Sequence, residues 1–170
     1  METYSEATAA AVGINVHFVQ DNHSHSILSG TVRGLHYQRP PHAQAKLVRC
    51  LRGSIVDYAV DIRRGSPTYG RFVSAKLTAI GGEQLFVPIG FAHGFVTLEA
   101  DVEIAYKVSD VYVPESDGGI AWNDPTIAID WPLPASGPVL SDKDSALPTL
   151  AEFSSPFEYN GRPLQPLPED

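Results

Sequence analysis

The densest run of chemically useful side chains is Arg33-Gly34-Leu35-His36-Tyr37-Gln38, with Pro40-Pro41, Gln44 and Lys46 just beyond it. It brings an imidazole, two cations and amide groups within reach of one hairpin. An imidazole titrating near its ordinary value of about 6.5 is the side chain best suited to taking a proton at neutral pH. The same hexapeptide also fits a polar strand end carrying a solvated histidine, and its spacing alone does not separate the two.

A second group is Gly82-x5-Pro88-x-Gly90-x2-His93. It matches most of the second cupin motif, in which a tight Pro/Gly turn aims a histidine into a barrel. Metal-binding cupins add a His-x-His pair and a following Glu. His36 and His42 are separated by Pro40-Pro41, so one strand cannot turn both inward. His23 and His25 have the spacing but read as preceding the barrel strands, with no matching glutamate after them. The usual three-His, one-Glu set cannot be assembled, and no metal is expected. Without one, His93 either hydrogen-bonds a ligand oxygen or is a core histidine satisfied by backbone.

Val102, Ile104, Tyr106 and Val108 share parity on one strand pattern, while Glu103 and Lys107 face the other way. The Tyr106 ring therefore belongs on an apolar, inward face, as a core ring or as a proton donor. Leu140-Ser141-Asp142-Lys143-Asp144 reads by itself as a charged surface turn.

The elements that must hold these groups are short strands. Residues 3–12 read as a helix, with Thr3 or Ser5 to cap it and Gly13 to stop it. Segment 45–52 and then 54–63 follow as strands; Val56, Tyr58, Val60 and Ile62 share one face of the latter, Asp57 and Asp61 the other. Residues 71–87 read as a strand pair broken at Gly81-Gly82, a hairpin signal, and 94–98 with 102–108 as another pair across Glu99-Ala100-Asp101. Evenly spaced short strands imply an all-β sandwich or barrel. From residue 113 the chain is rich in proline and reads as an extended wrap, with a loose tail from about 150. Residues 1–150 form one domain and 151–170 the tail.

Composition narrows the function. The 170 residues are 43% hydrophobic and 19% charged, a globular balance. A net charge of −8 argues against a nucleic-acid or anionic-membrane surface, though a few placed cations can still hold a diphosphate. No run approaches a membrane span and the first residues lack signal-peptide character, so a cytoplasmic protein is expected. Cys50, the single cysteine, sits in a strand pattern and reads as a core residue.

Taken in order, Gln20-Asp21-Asn22-His23-Ser24, Arg33 to Gln38, Lys46-Leu47-Val48-Arg49, Val60-Asp61-Ile62-Arg63, Ser66-Pro67-Thr68, Pro88 to Phe95, Tyr106-Lys107, Trp122-Asn123-Asp124 and Lys143-Asp144 resemble the dTDP-4-dehydrorhamnose 3,5-epimerase family over about residues 1–150. The resemblance implies a cupin-type jelly-roll barrel with short peripheral helices, a homodimer, no cofactor, and a dTDP-linked 4-keto-6-deoxy sugar as substrate. By position it implies His36 as the base, paired with Asp144, and Tyr106 as the proton donor on the opposite face. Lys46 and His93 would contact the sugar, Arg33 and Lys143 the diphosphate, Gln20, Asp21 and Asn22 the nucleotide, and Tyr112 would stack on thymine. Two features depart from the family. An Asp-x-Arg-Gly-x-Phe-like segment normally comes first, whereas this sequence starts just after it, as a truncated or misassigned start would, with Glu2 matching that segment's last binding acid. Asp117 stands where the family usually has Glu. The alternatives are an epimerase acting at one carbon of a related dTDP-keto sugar, and a non-catalytic sugar-nucleotide-binding cupin.

Overall fold

The computed structural model describes residues 2–161. After a short helix α1 (Glu6–Ala11) come β1 (Gln20–Ser26), β2 (Val32–Gln38), β3 (Lys46–Arg52), β4 (Ser54–Asp61), β5 (Phe72–Thr78), β6 (Gln84–Val87), β7 (Phe91–Thr97), β8 (Val102–Val108) and β9 (Asp117–Gly119), then a single turn of helix α2 (Asp142–Ser145). They form two antiparallel sheets, ordered β1-β8-β3-β6 and β5-β4-β7-β2-β9. This is the expected all-β jelly roll.

Between the sheets lies an apolar interior built from both: Val48 and Cys50 on β3, Ile55 on β4, Leu77 on β5, Phe95 on β7, and Val102 and Ile104 on β8. Fully burying a side chain such as Ile55 or Ile104 contributes about 1.5–3 kcal/mol. An exposed ion pair such as Arg64–Glu158 gives about 0–1 kcal/mol, so the interior, not the charges, holds the barrel. The interior fills only one end; the other is left open.

The face shared by Val56, Tyr58, Val60 and Ile62 is not the barrel interior. It is the outer face of the five-stranded sheet, covered by the C-terminal wrap through Ile127, Trp131, Leu150 and Phe157. Asp57 shares its parity with Ile55 and therefore points inward. Asp124 anchors the wrap: its carboxylate accepts hydrogen bonds from the amides of Thr126, Ile127 and Leu150. At the other sheet, α1 is capped by Ser5, whose side chain accepts from the Thr8 amide, and Ala9, Ile14 and Phe18 pack with Leu47 and Phe86.

Four expectations are corrected. The 71–87 pair is not a hairpin: β5 pairs with β4, whereas β6 pairs with β3 in the opposite sheet. The turn between them is closed by side chains, with Glu83 accepting from the amide and hydroxyl of Thr78, so the chain crosses sheets without a ladder. Likewise β7 pairs with β4 and β2, and β8 with β3 and β1. The turn signals were real, but a jelly-roll corner and a hairpin turn share the same residue types. Third, His23 and His25 lie on barrel strand β1; they face outward, against Glu103 and Asp101. Fourth, residues 150–161 are not loose: Phe153 and Phe157 pack edge-on against Tyr37, and Ser155 donates to the Ile62 carbonyl. Residues 162–170 of the expected tail lie outside the described residues.

Candidate active site

The open end of the barrel holds a cavity of about 480 Å³, walled by both sheets and closed on one side by α2. That is the size of a small-molecule site. His36 and Arg33 both reach it although three positions apart on one strand, where strict alternation would put them on opposite faces. The register explains how. Arg33 opposes Phe95 and His36 opposes His93, so three steps on β2 match two on β7. The extra residue is a bulge, which re-aims a side chain. Gly34 makes it possible: its φ is +124°, and a Cβ there would lie 2.6 Å from the Gly94 Cα and 2.7 Å from the His93 carbonyl oxygen. Leu35 and Tyr37 are thereby turned to the outer core.

His36 Nε2 lies 2.6 Å from Asp144 Oδ1, a close polar contact approached outside hydrogen-bond angles. Such pairs often align fully only with substrate bound. Among the described residues His36 Nδ1 has no partner. Asp144 is buried in α2, where Ser141 both accepts from its amide and donates to its Oδ2 at 2.7 Å. Burial alone would push the Asp144 carboxyl up. Contacts with His36, Ser141 and the Gly34 amide outweigh it and hold the carboxyl below its ordinary range, so Asp144 is an anion beside the imidazole.

Tyr106 stands on the opposite wall. It belongs to β8, between Asn22 of β1 and Val48 of β3, in the other sheet. Burial raises its phenol pKa against the opposing pull of Arg33, which keeps the proton on the oxygen. Lys46 opens β3. Desolvation lowers its ammonium to about 8, partly countered by Asp117 and Asp57 and reinforced by Lys143. His93 Nε2 is hydrogen-bonded at 2.6 Å to Asp57 Oδ1, while Asp57 Oδ2 is buried without a partner among the described residues. Asp57 was not singled out from sequence; its parity, opposite the apolar residues of its strand, was the available signal.

At the cavity mouth Arg33 and Lys143 supply positive charge in a chain of net charge −8. Lys143 Nζ pairs with Asp117 Oδ2, which also accepts from the Tyr112 hydroxyl at 3.2 Å. Burial would lower the Lys143 pKa, but Asp117 outweighs that and raises it. Gln20 and Asn22 face the cavity and share a hydrogen bond of 2.8 Å. Two expected residues fall elsewhere. Asp21 has the outward parity of β1 and pairs with Lys107, and Glu2 is exposed, accepting from the Thr8 hydroxyl at 3.3 Å. Gln38, Gln44, Phe95 and Ser141 also line the cavity. Among the described residues no three His, Cys, Asp or Glu side chains gather as a metal site would require.

Fold and cavity together define a cupin-type barrel whose site pairs an imidazole–carboxylate with a phenol on the facing wall, under a cationic mouth. The family model for dTDP-4-dehydrorhamnose 3,5-epimerase matches residues 1–152, and the chain belongs to that family. It is 56% identical over 158 residues to the dTDP-4-dehydrorhamnose 3,5-epimerase of Sinorhizobium fredii, covering 93% of this chain and 78% of that one. It is 50% identical to the Salmonella typhimurium enzyme of the same name, over 88% of this chain and 81% of the other. A solved dTDP-6-deoxy-D-glucose-3,5-epimerase from Legionella pneumophila, in complex with dTDP-4-keto-L-rhamnose, superposes with a TM-score of 0.86 at 43% identity, covering 93% of this chain and 84% of that one.

Proposed function

We propose that this chain inverts C3 and C5 of dTDP-4-dehydro-6-deoxy-D-glucose, in the making of dTDP-L-rhamnose. The observation that carries the proposal is the placement of His36 and Tyr106 on facing walls of one cavity, with Lys46 between the sheets beside them. Both inverted carbons lie next to the C4 ketone, so their protons are acidic. His36 takes the proton from one face, and the C–H electron pair moves into an enolate with its charge on O4. Lys46 stabilises that oxyanion, and His93, with its ring fixed by Asp57, contacts the sugar beside it. Tyr106 then delivers a proton to the other face of the carbon, which inverts it; His36 gives its proton to solvent and Tyr106 takes one from solvent before the second carbon reacts. Asp144 orients the His36 ring and stabilises the imidazolium formed. Each acid or base of this kind contributes about 10²–10⁴-fold.

In this reading Arg33 and Lys143 hold the diphosphate, Lys143 exchanging Asp117 for phosphate oxygens. Gln20, Asn22 and Tyr112 meet the nucleotide. Asp21 and Glu2 are assigned no direct contact, since each is engaged outside the cavity. The chain's own side chains supply every acid, base and cation the reaction uses. A homodimer in the cytoplasm is part of the same proposal; its support is the family, and no helix among the described residues is long and apolar enough to cross a membrane. The test is NMR of the sugar nucleotide after incubation with the protein. Inversion at both carbons is the expected result, and a product inverted at one carbon, or not at all, refutes the reading.

A further inference from the structure

The segment that carries Tyr112 runs over the cavity mouth outside any sheet, with Val111 and Tyr112 about half exposed. Its backbone is held by glutamine side chains. Gln38 Nε2 donates to the Val111 carbonyl at 3.0 Å, and its Oε1 accepts from the Val113 amide at 2.7 Å. Gln20 Oε1 accepts from the Tyr112 amide at 3.2 Å, and Gln44 Nε2 donates to the Asp110 carbonyl at 2.8 Å. Gln38 is the centre of this arrangement. It is 2% exposed, it spends its second amide proton on the His42 carbonyl at 2.7 Å, and it grips the chain on both sides of Tyr112. A buried primary amide with both protons and its oxygen engaged has one orientation. Gln38 also lies on β2 two residues after His36, so the strand that presents the base also sets the loop.

We propose that Gln38 is a positioning residue that presets Tyr112 for the base of the nucleotide, so that nucleotide affinity depends on it and the proton transfers do not. The inference rests on the reading of Tyr112 given above. Its chemistry is that of preorganisation: a ring held in place before the ligand arrives loses less freedom on binding.

The test combines two variants with one measurement on the unaltered protein. Gln38→Met removes all three hydrogen bonds at similar length; Gln38→Glu keeps the acceptor for Val113 and removes both donors. Each should raise the dTDP dissociation constant and the KM about tenfold while kcat changes less than about twofold. In a Tyr112→Ala background the Gln38→Met effect on dTDP affinity should vanish, because both changes then remove the same interaction. An undiminished effect in that background, or a kcat loss matching the loss of affinity, overturns the proposal. Amide exchange of Val113 in the unaltered protein judges the clamp even if the variants fail to fold. Protection before dTDP is added supports it, and protection that arises only with dTDP overturns it. Failure of the unaltered chain to bind dTDP counts against the site reading itself, while Val113 exchange still reports on the clamp.

Discussion

His36 and Asp144 meet at 2.6 Å from distant parts of the chain, the histidine on β2 inside the barrel and the aspartate on a single helical turn packed against that strand. Asp144 is buried and is fixed in turn by Ser141, so the carboxylate is an oriented anion rather than a mobile surface charge. Asp144→Asn should keep the fold and lower kcat by about 10²–10⁴-fold, because the imidazolium loses its counter-charge and its ring orientation. Turnover within tenfold of the parent, measured by NMR of product, would remove Asp144 from the mechanism.

Tyr106 is held protonated by burial on the wall facing His36. Replacing it with Phe removes the donor and leaves the base. Tyr106→Phe should therefore abolish inversion while solvent hydrogen still washes into the unreacted sugar, since the enolate can be reprotonated from the side it came from. Loss of wash-in and inversion together would mean that Tyr106 acts before or during proton removal.

Lys46 sets a pH limit. Its folded pKa is about 8, lowered from 10.5 by desolvation, so the charge that stabilises the enolate is present below about 8 and lost above it. The kcat/KM profile should fall on the basic side with a midpoint near 8, and Lys46→Met should flatten that limb at much lower activity. Stability runs the other way. The charged form costs folding free energy below about 8, and the cost is relieved as pH rises from about 8 toward 10.5. Lys46→Met should accordingly stabilise the fold at neutral pH, by roughly 3 kcal/mol at most. Denaturant titration at pH 7 checks this, and a destabilised variant would contradict it.

Gly34 is the hinge of the bulge. Gly34→Ala places a Cβ 2.6 Å from the Gly94 Cα at a φ of +124°. Backbone strain and overpacking should together cost about 2–6 kcal/mol. Any protein that survives should return Arg33 or His36 to the wrong face. Denaturation and turnover measured together check the prediction; a stable, active variant would show that the bulge does not depend on glycine.

Much of this was legible in the sequence, for physical reasons. Strand parity along Val102 to Val108 turns Tyr106 inward, where it lines the cavity. Parity misleads where the pleat is broken: nothing in Arg33 to Gln38 announces that the bulge lets Arg33 and His36 share a face. It also assigns faces without saying what covers them, so the apolar face of β4 proved to be the one under the wrap and Asp57 the one inside. Turn residues at Gly81-Gly82 and at Glu99 to Asp101 marked where the chain reverses but not which sheet it enters. Asp144 read from spacing alone as a surface charge, because its burial comes from packing of α2 on β2. The family resemblance groups Asp21 with Gln20 and Asn22, though alternation along β1 turns it away.

The most direct test of the central claim is NMR of dTDP-4-dehydro-6-deoxy-D-glucose in heavy water, with the unaltered protein and with His36→Asn. The account predicts deuterium at both C3 and C5 with the unaltered protein, and none above the uncatalysed background with His36→Asn. Exchange at a near-parental rate in the variant would contradict it and require another residue as the base.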